Sequence, residues 1–152
     1  MVVSDDLRFT LDKFTFSVPQ DRQYTRNDCW LMRDDVAGVV RVGLTDFRQQ
    51  ASGDIAFVEL PPAGLTVVQG EEMVAVETIK VTLAIPAPIS GTIRNTNAML
   101  TTQPELVNRD PYGDGWLVEM AIAVPGQMNA LLEPGAYFRL MQEEAESERG
   151  KR

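Results

Sequence analysis

At 152 residues with 44% hydrophobic side chains, the chain is long enough to bury a core without covalent support. Its net charge of −8 excludes the concentrated basic face that nucleic-acid binding requires. Histidine is absent and Cys29 is the only cysteine, which excludes internal disulfides, cysteine metal clusters and the usual neutral-pH general base.

In chain order, the first segment alternates Phe9, Leu11, then Phe14, Phe16 and Val18 with polar residues, which predicts an edge strand in an N-terminal extension over residues 1–22. A β domain is expected over 23–126. Trp30-Leu31-Met32, a turn at Asp34-Asp35 and the run from Val36 to Val42 read as a hairpin. Thr45 and Asp46 then supply a helix start, because a hydroxyl can accept from the first-turn N–H groups and an acid complements the positive dipole end, and Gly53 closes the helix. Short strands follow at Ile55–Leu60, Leu65–Val68, Met73–Ile79, Val81–Ile85 and Thr92–Arg94, punctuated by Pro61-Pro62, Gly64, Gly70 and Pro86-Ala87-Pro88. Residues 104–115 are dense in turn formers and read as a long ordered loop before a last strand from Trp116 to Ile122. Over 127–152, Met128, Leu131 and Leu132, then Tyr137, Leu140 and Met141, fall at helical spacing. This predicts C-terminal helices with a fraying tail, packed on the same domain. The fold class expected is therefore mainly β, a sandwich of small antiparallel sheets with a short internal helix.

One residue stands apart chemically. Only three lysines accompany eleven arginines, and Lys80 alone lies far from the ends, between two β-patterned runs. A primary amine can be acylated where a guanidinium cannot, so Lys80 reads as an attachment point. Its hairpin context is Glu77, Thr78, Ile79 and Val81.

The order Gly70-Glu71-Glu72, Val76-Glu77-Thr78-Ile79-Lys80 and Pro86-Ala87-Pro88-Ile89-Ser90-Gly91 resembles the lipoyl-carrier hairpin, and in particular that of the glycine cleavage H-protein family. Supporting motifs are Gly43-Leu44-Thr45-Asp46-Phe47, Gly53 to Pro61, Pro104-Glu105-Leu106-Val107-Asn108, Asp110-Pro111-Tyr112-Gly113 and Gly115-Trp116. The resemblance implies a lipoyl-domain-like barrel-sandwich hybrid, a flattened pair of sheets, with lipoate joined to Lys80 by an amide. It also implies a swinging-arm carrier rather than an enzyme, with no metal, served by a lipoate ligase or lipoyl transferase. Methionines usually flank the lysine of biotin carriers; here the neighbours are Ile79 and Val81. Where the family has a histidine before the tryptophan, this chain has Asp28, an expected neighbour of the arm. That change, the apolar run after Lys80 and the added N-terminal strand make the chain look more like the H-protein-like lipoate-binding proteins of sulfur oxidation, working with a heterodisulfide-reductase-like complex. The alternative is glycine cleavage, in which the arm carries an aminomethyl group among glycine decarboxylase, aminomethyltransferase and dihydrolipoamide dehydrogenase. An unmodified interaction module is a reading of another class. A cytoplasmic monomer is expected, with no nucleic-acid or membrane partner, and Cys29 reads as buried and inert.

Overall fold

The computed structural model describes residues 5–150; residues 1–4 of the N-terminal extension and 151–152 of the tail lie outside the described part. Period-two alternation at its start gives two strands rather than one, β1 (Leu7–Leu11) and β2 (Phe14–Val18), paired antiparallel as a sheet of their own. The expected single edge strand fails at Asp12-Lys13. Asp12 adopts φ 57°, a turn conformation that acids tolerate better than most residues, and the apolar phase shifts from a spacing of two to three between Leu11 and Phe14.

A six-stranded sheet follows in the order β3 (Gln23–Tyr24), β4 (Cys29–Asp34), β5 (Val39–Leu44), β11 (Val118–Ile122), β10 (Gly91–Thr96) and β7 (Thr66–Val67). Against it lies a three-stranded sheet in the order β6 (Ile55–Glu59), β8 (Glu72–Thr78) and β9 (Thr82–Pro86). Alternation along these strands sends Val58, Val74, Val76 and Ile85 inward to meet Val40, Val42, Ile93 and Met120 in one buried cluster. The mainly β sandwich is thus borne out, with the N-terminal hairpin as a third small sheet.

The short helix α1 (Asp46–Ser52) is capped as its residues require. Thr45 Oγ1 accepts from Arg48 N–H at 3.3 Å, and Gly53, at φ 83°, donates its N–H back to the Gln49 carbonyl. The turn-rich segment contains one helical turn, α2 (Leu106–Arg109). At the C-terminus one helix forms, α3 (Pro134–Gly150), preceded by a 3-10 segment at Pro125–Ala130. Leu131 and Leu132 are not helical because Leu132 exchanges backbone hydrogen bonds of 2.7 and 2.9 Å with Tyr24. The polar tail stays helical: Ala145 is buried, and Arg149 pairs with Asp12 of the N-terminal hairpin at 3.2 Å.

A second cluster, separate from the intersheet core, joins Phe16, Val18, Tyr24, Trp30, Phe47, Tyr137 and Met141. Trp30 is fully buried, donates from Nε1 to the Pro111 carbonyl at 2.9 Å, and lies across Gly43 so closely that a Cβ there would stand 2.5 Å from its ring carbons. The indole cannot retreat without losing that bond. Gly43→Ala should therefore cost about 2 kcal/mol of stability, an overpacking penalty read from the urea midpoint.

Candidate functional site

Lys80 stands at the outer end of the β8–β9 hairpin. Thr78 and Val81 face each other across a two-residue turn, with Thr78 N–H donating to the Val81 carbonyl at 2.8 Å. Two-residue hairpin turns commonly need positive φ, yet Asp12 and Asp28 are the only non-glycine residues with positive φ among those described. Here the Thr78 hydroxyl substitutes for that geometry. Its oxygen accepts from Lys80 N–H at 3.2 Å and Val81 N–H at 3.1 Å, and it donates to the Val81 carbonyl at 3.2 Å. The turn is held by a side chain while Ile79 and Lys80 project outward, Ile79 at 89% exposure. Thr78→Val should speed amide exchange at Lys80 and Val81 about fivefold, matching bonds worth about 1 kcal/mol, whereas Thr78→Ser should leave it unchanged.

The base of the hairpin is fixed from both sides. At its root, Gly70 N–H donates to Ala87 O at 2.9 Å and Ala87 N–H to Glu71 O at 2.7 Å. Along its flank, β6 pairs Ile55 with Thr78, Phe57 with Glu77 and Glu59 with Ala75. The start of β6 is held by Asn108, which accepts from Ile55 N–H at 2.9 Å and donates to Gln49 Oε1 and Gly53 O, each at 3.0 Å. The distant Pro104–Asn108 motif thus steadies the strand against which the lysine hairpin rests. Tyr112 works similarly: its hydroxyl donates to Ser17 O at 2.6 Å and accepts from Asp46 N–H at 3.0 Å, tying α1 to the N-terminal hairpin.

Of the residues singled out around Lys80, Glu77, Ile79 and Val81 are exposed and Thr78 is half-buried. Asp28 does not join them. It is 3% exposed, holds φ 65°, and accepts from the Tyr137 hydroxyl at 2.8 Å. Tyr137 also bonds Thr45 Oγ1 at 2.8 Å, and Arg48 Nη1 stands 4.0 Å from the Asp28 carboxylate. These contacts come from α1, its cap and α3, and they turn the Asp28 side chain into the body of the protein. Burial pushes its carboxyl up from 3.8 to about 6, partly opposed by the Tyr137 bond. Burial also raises the Cys29 thiol to about 12, so it stays protonated and inert. Among the described residues no group of metal-ligating side chains comes together. None of the described helices is long and apolar enough to cross a membrane.

Sequence reasoning missed a second lysine at a hairpin bend. Lys13 occupies the β1–β2 turn, so position at a tip does not by itself distinguish Lys80. The surroundings do: Lys80 caps a hairpin inside a three-stranded sheet with apolar neighbours on both sides, whereas Lys13 follows Asp12, which is paired to Arg149.

The sequence profile of the family described as glycine cleavage H-protein matches residues 22–144. A probable glycine cleavage system H protein of Aeropyrum pernix is 43% identical over 131 residues, covering 86% of this chain and 90% of that relative. The glycine cleavage system H protein of Halorhodospira halophila is 44% identical over 128 residues, covering 84% and 97%. Among solved structures, the glycine cleavage system H protein of Mycobacterium marinum superimposes with a TM-score of 0.72 at 35% identity, covering 79% of this chain and 95% of that one. The chain belongs to the glycine cleavage H-protein family, the lipoyl carriers its motifs resemble, and is a carrier rather than an enzyme.

Proposed function

We propose that Lys80 carries lipoate in amide linkage and that the loaded protein serves glycine cleavage, passing between glycine decarboxylase, aminomethyltransferase and dihydrolipoamide dehydrogenase. The observation that carries this is the exposed Lys80 on a hairpin braced at its root, flank and turn, in a chain whose named relatives are glycine cleavage H proteins. The site fits the cofactor: among the described residues no ion pair engages Lys80, so its amine is open to acylation. Lipoate, once bound, supplies a dithiolane that opens on reduction, accepts a transferred group and closes on oxidation. The protein's own part is mechanical. The Thr78 hydroxyl and the pairing of β6, β8 and β9 keep the attachment point rigid, so that tethering raises effective concentration at each partner without the pedestal yielding.

The sulfur-oxidation reading rested on Asp28, on an apolar face after Lys80 and on the added N-terminal strand. Asp28 is buried and bonded to Tyr137, and of the apolar run Leu83 and Ile85 turn inward, which leaves Val81 and Ala84 exposed. The altered arm surface is therefore smaller than the residue types imply, and the relatives named favour glycine cleavage. Reconstitution tests this: the lipoylated protein should support glycine-dependent carbon dioxide release with the three glycine cleavage enzymes. Turnover with a heterodisulfide-reductase-like complex and none with glycine would overturn it.

A further inference from the structure

Among the described residues, no element covers the outer face of the three-stranded sheet, where Phe57, Glu59, Glu77, Thr82 and Ala84 are exposed. Register places Phe57, Glu77 and Thr82 in one row across β6, β8 and β9, and Glu59, Ala75 and Ala84 in the next. Phe57 is 49% exposed, and the two alanines make the second row low. Beyond the strand ends, Ile79 is almost wholly exposed and Val81 half so, one on each side of Lys80. An aliphatic side chain so placed contributes nothing to the core, and exposed apolar residues gathered at one spot mark a contact surface. The exposed acids that share these two rows are Glu59 and Glu77.

We infer that Ile79, Val81 and Phe57, set among these acids, form the docking surface for the enzyme that attaches lipoate, which meets them with an apolar socket rimmed by arginine or lysine. This deepens the reading of Lys80 as the lipoyl site and rests on it. Distance selects the attaching enzyme over those that use the arm. Acylation happens at Nζ, only about 6 Å from the Lys80 Cα, so that enzyme must close over Ile79 and Val81 to reach it. Enzymes acting on the dithiolane work roughly twice as far out and can leave the bend untouched. The step itself balances: the ligase joins the lipoate carboxyl to AMP from ATP, releasing pyrophosphate. The Lys80 amine then displaces AMP and gives up a proton as the amide forms. Basic groups facing the acids speed encounter, and the apolar contacts hold the complex.

The test uses the full chain, a purified lipoate ligase, ATP and lipoate, with intact mass followed over time. Ile79→Ser and Val81→Ser should lower kcat/KM for lipoylation about tenfold, mainly through KM, as loss of one buried aliphatic contact predicts. Ile79→Leu should stay within about twofold because it keeps the apolar volume. The melting temperatures of the Ile79 variants should not move, since Ile79 is solvent-exposed, and rising salt should slow the wild-type reaction. Wild-type rates in both serine variants, or Ile79→Leu as slow as Ile79→Ser, would overturn the docking surface while leaving the attachment site standing. A wild-type chain that stays unmodified would overturn both.

Discussion

Lys80→Arg should abolish lipoylation and, with it, all glycine-dependent carbon dioxide release in the reconstituted system, while the circular dichroism spectrum and unfolding midpoint stay at wild-type values. The effect is complete because neither other lysine, Lys13 nor Lys151, lies in this hairpin. Arginine keeps the positive charge and the length but offers no acylable amine at neutral pH. Stability is untouched because Lys80 is exposed and makes its bond to the Thr78 hydroxyl through its backbone N–H, which arginine retains. Full carrier activity in Lys80→Arg would instead identify the protein as an unmodified interaction module.

Asp28→Asn should stabilise the protein at pH 8 and leave it nearly unchanged at pH 4. Burial raises the folded-state carboxyl from 3.8 to about 6. Between those values the unfolded chain has released a proton that the folded chain still holds, so folding stability is highest below the lower value and falls as pH rises through the higher one. The window closes near pH 6, and the accumulated loss is about 3 kcal/mol. Asparagine removes the ionisation, can still accept from Tyr137, and tolerates the left-handed φ of 65° at least as well. It forgoes the attraction of Arg48 at 4.0 Å but escapes the repulsion of Glu144 and Glu148 on α3, whose charges push the carboxyl up further. Urea unfolding at several pH values checks this: the wild type should weaken from pH 4 to 7 more steeply than Asp28→Asn. Equal slopes, or a variant weaker at pH 8, would show that Arg48 outweighs burial.

Much of the sandwich was legible because half-buried strands carry their own period. The Thr45 cap and Gly53 stop of α1 were visible as residue types whose chemistry suits helix ends. The Lys80 hairpin was visible because the motifs on either side of it resemble the lipoyl-carrier hairpin. What could not be read was three-dimensional pairing. Leu131 and Leu132 have helical spacing, but the exchange of backbone bonds with Tyr24 claims their peptide groups for a sheet edge. The N-terminal residues read as one strand because the phase change at Asp12-Lys13 looks minor until the chain reverses there. Asp28 misled most: a carboxylate replacing a histidine reads as a surface change, and nothing local announces that Tyr137, 109 residues away, holds it inside. The Asn108 clamp was similarly hidden, since its partners Gln49, Gly53 and Ile55 lie in other elements.

The most direct measurement is peptide mapping of the protein isolated from its native cells, or after incubation with ligase, ATP and lipoate. The expected result is one lipoyl group, on the peptide containing Lys80, with Lys13 bare although it too sits at a hairpin bend. A lipoyl group on Lys13, or Lys80 unmodified under both conditions, would contradict the assignment of this hairpin as the arm's anchor.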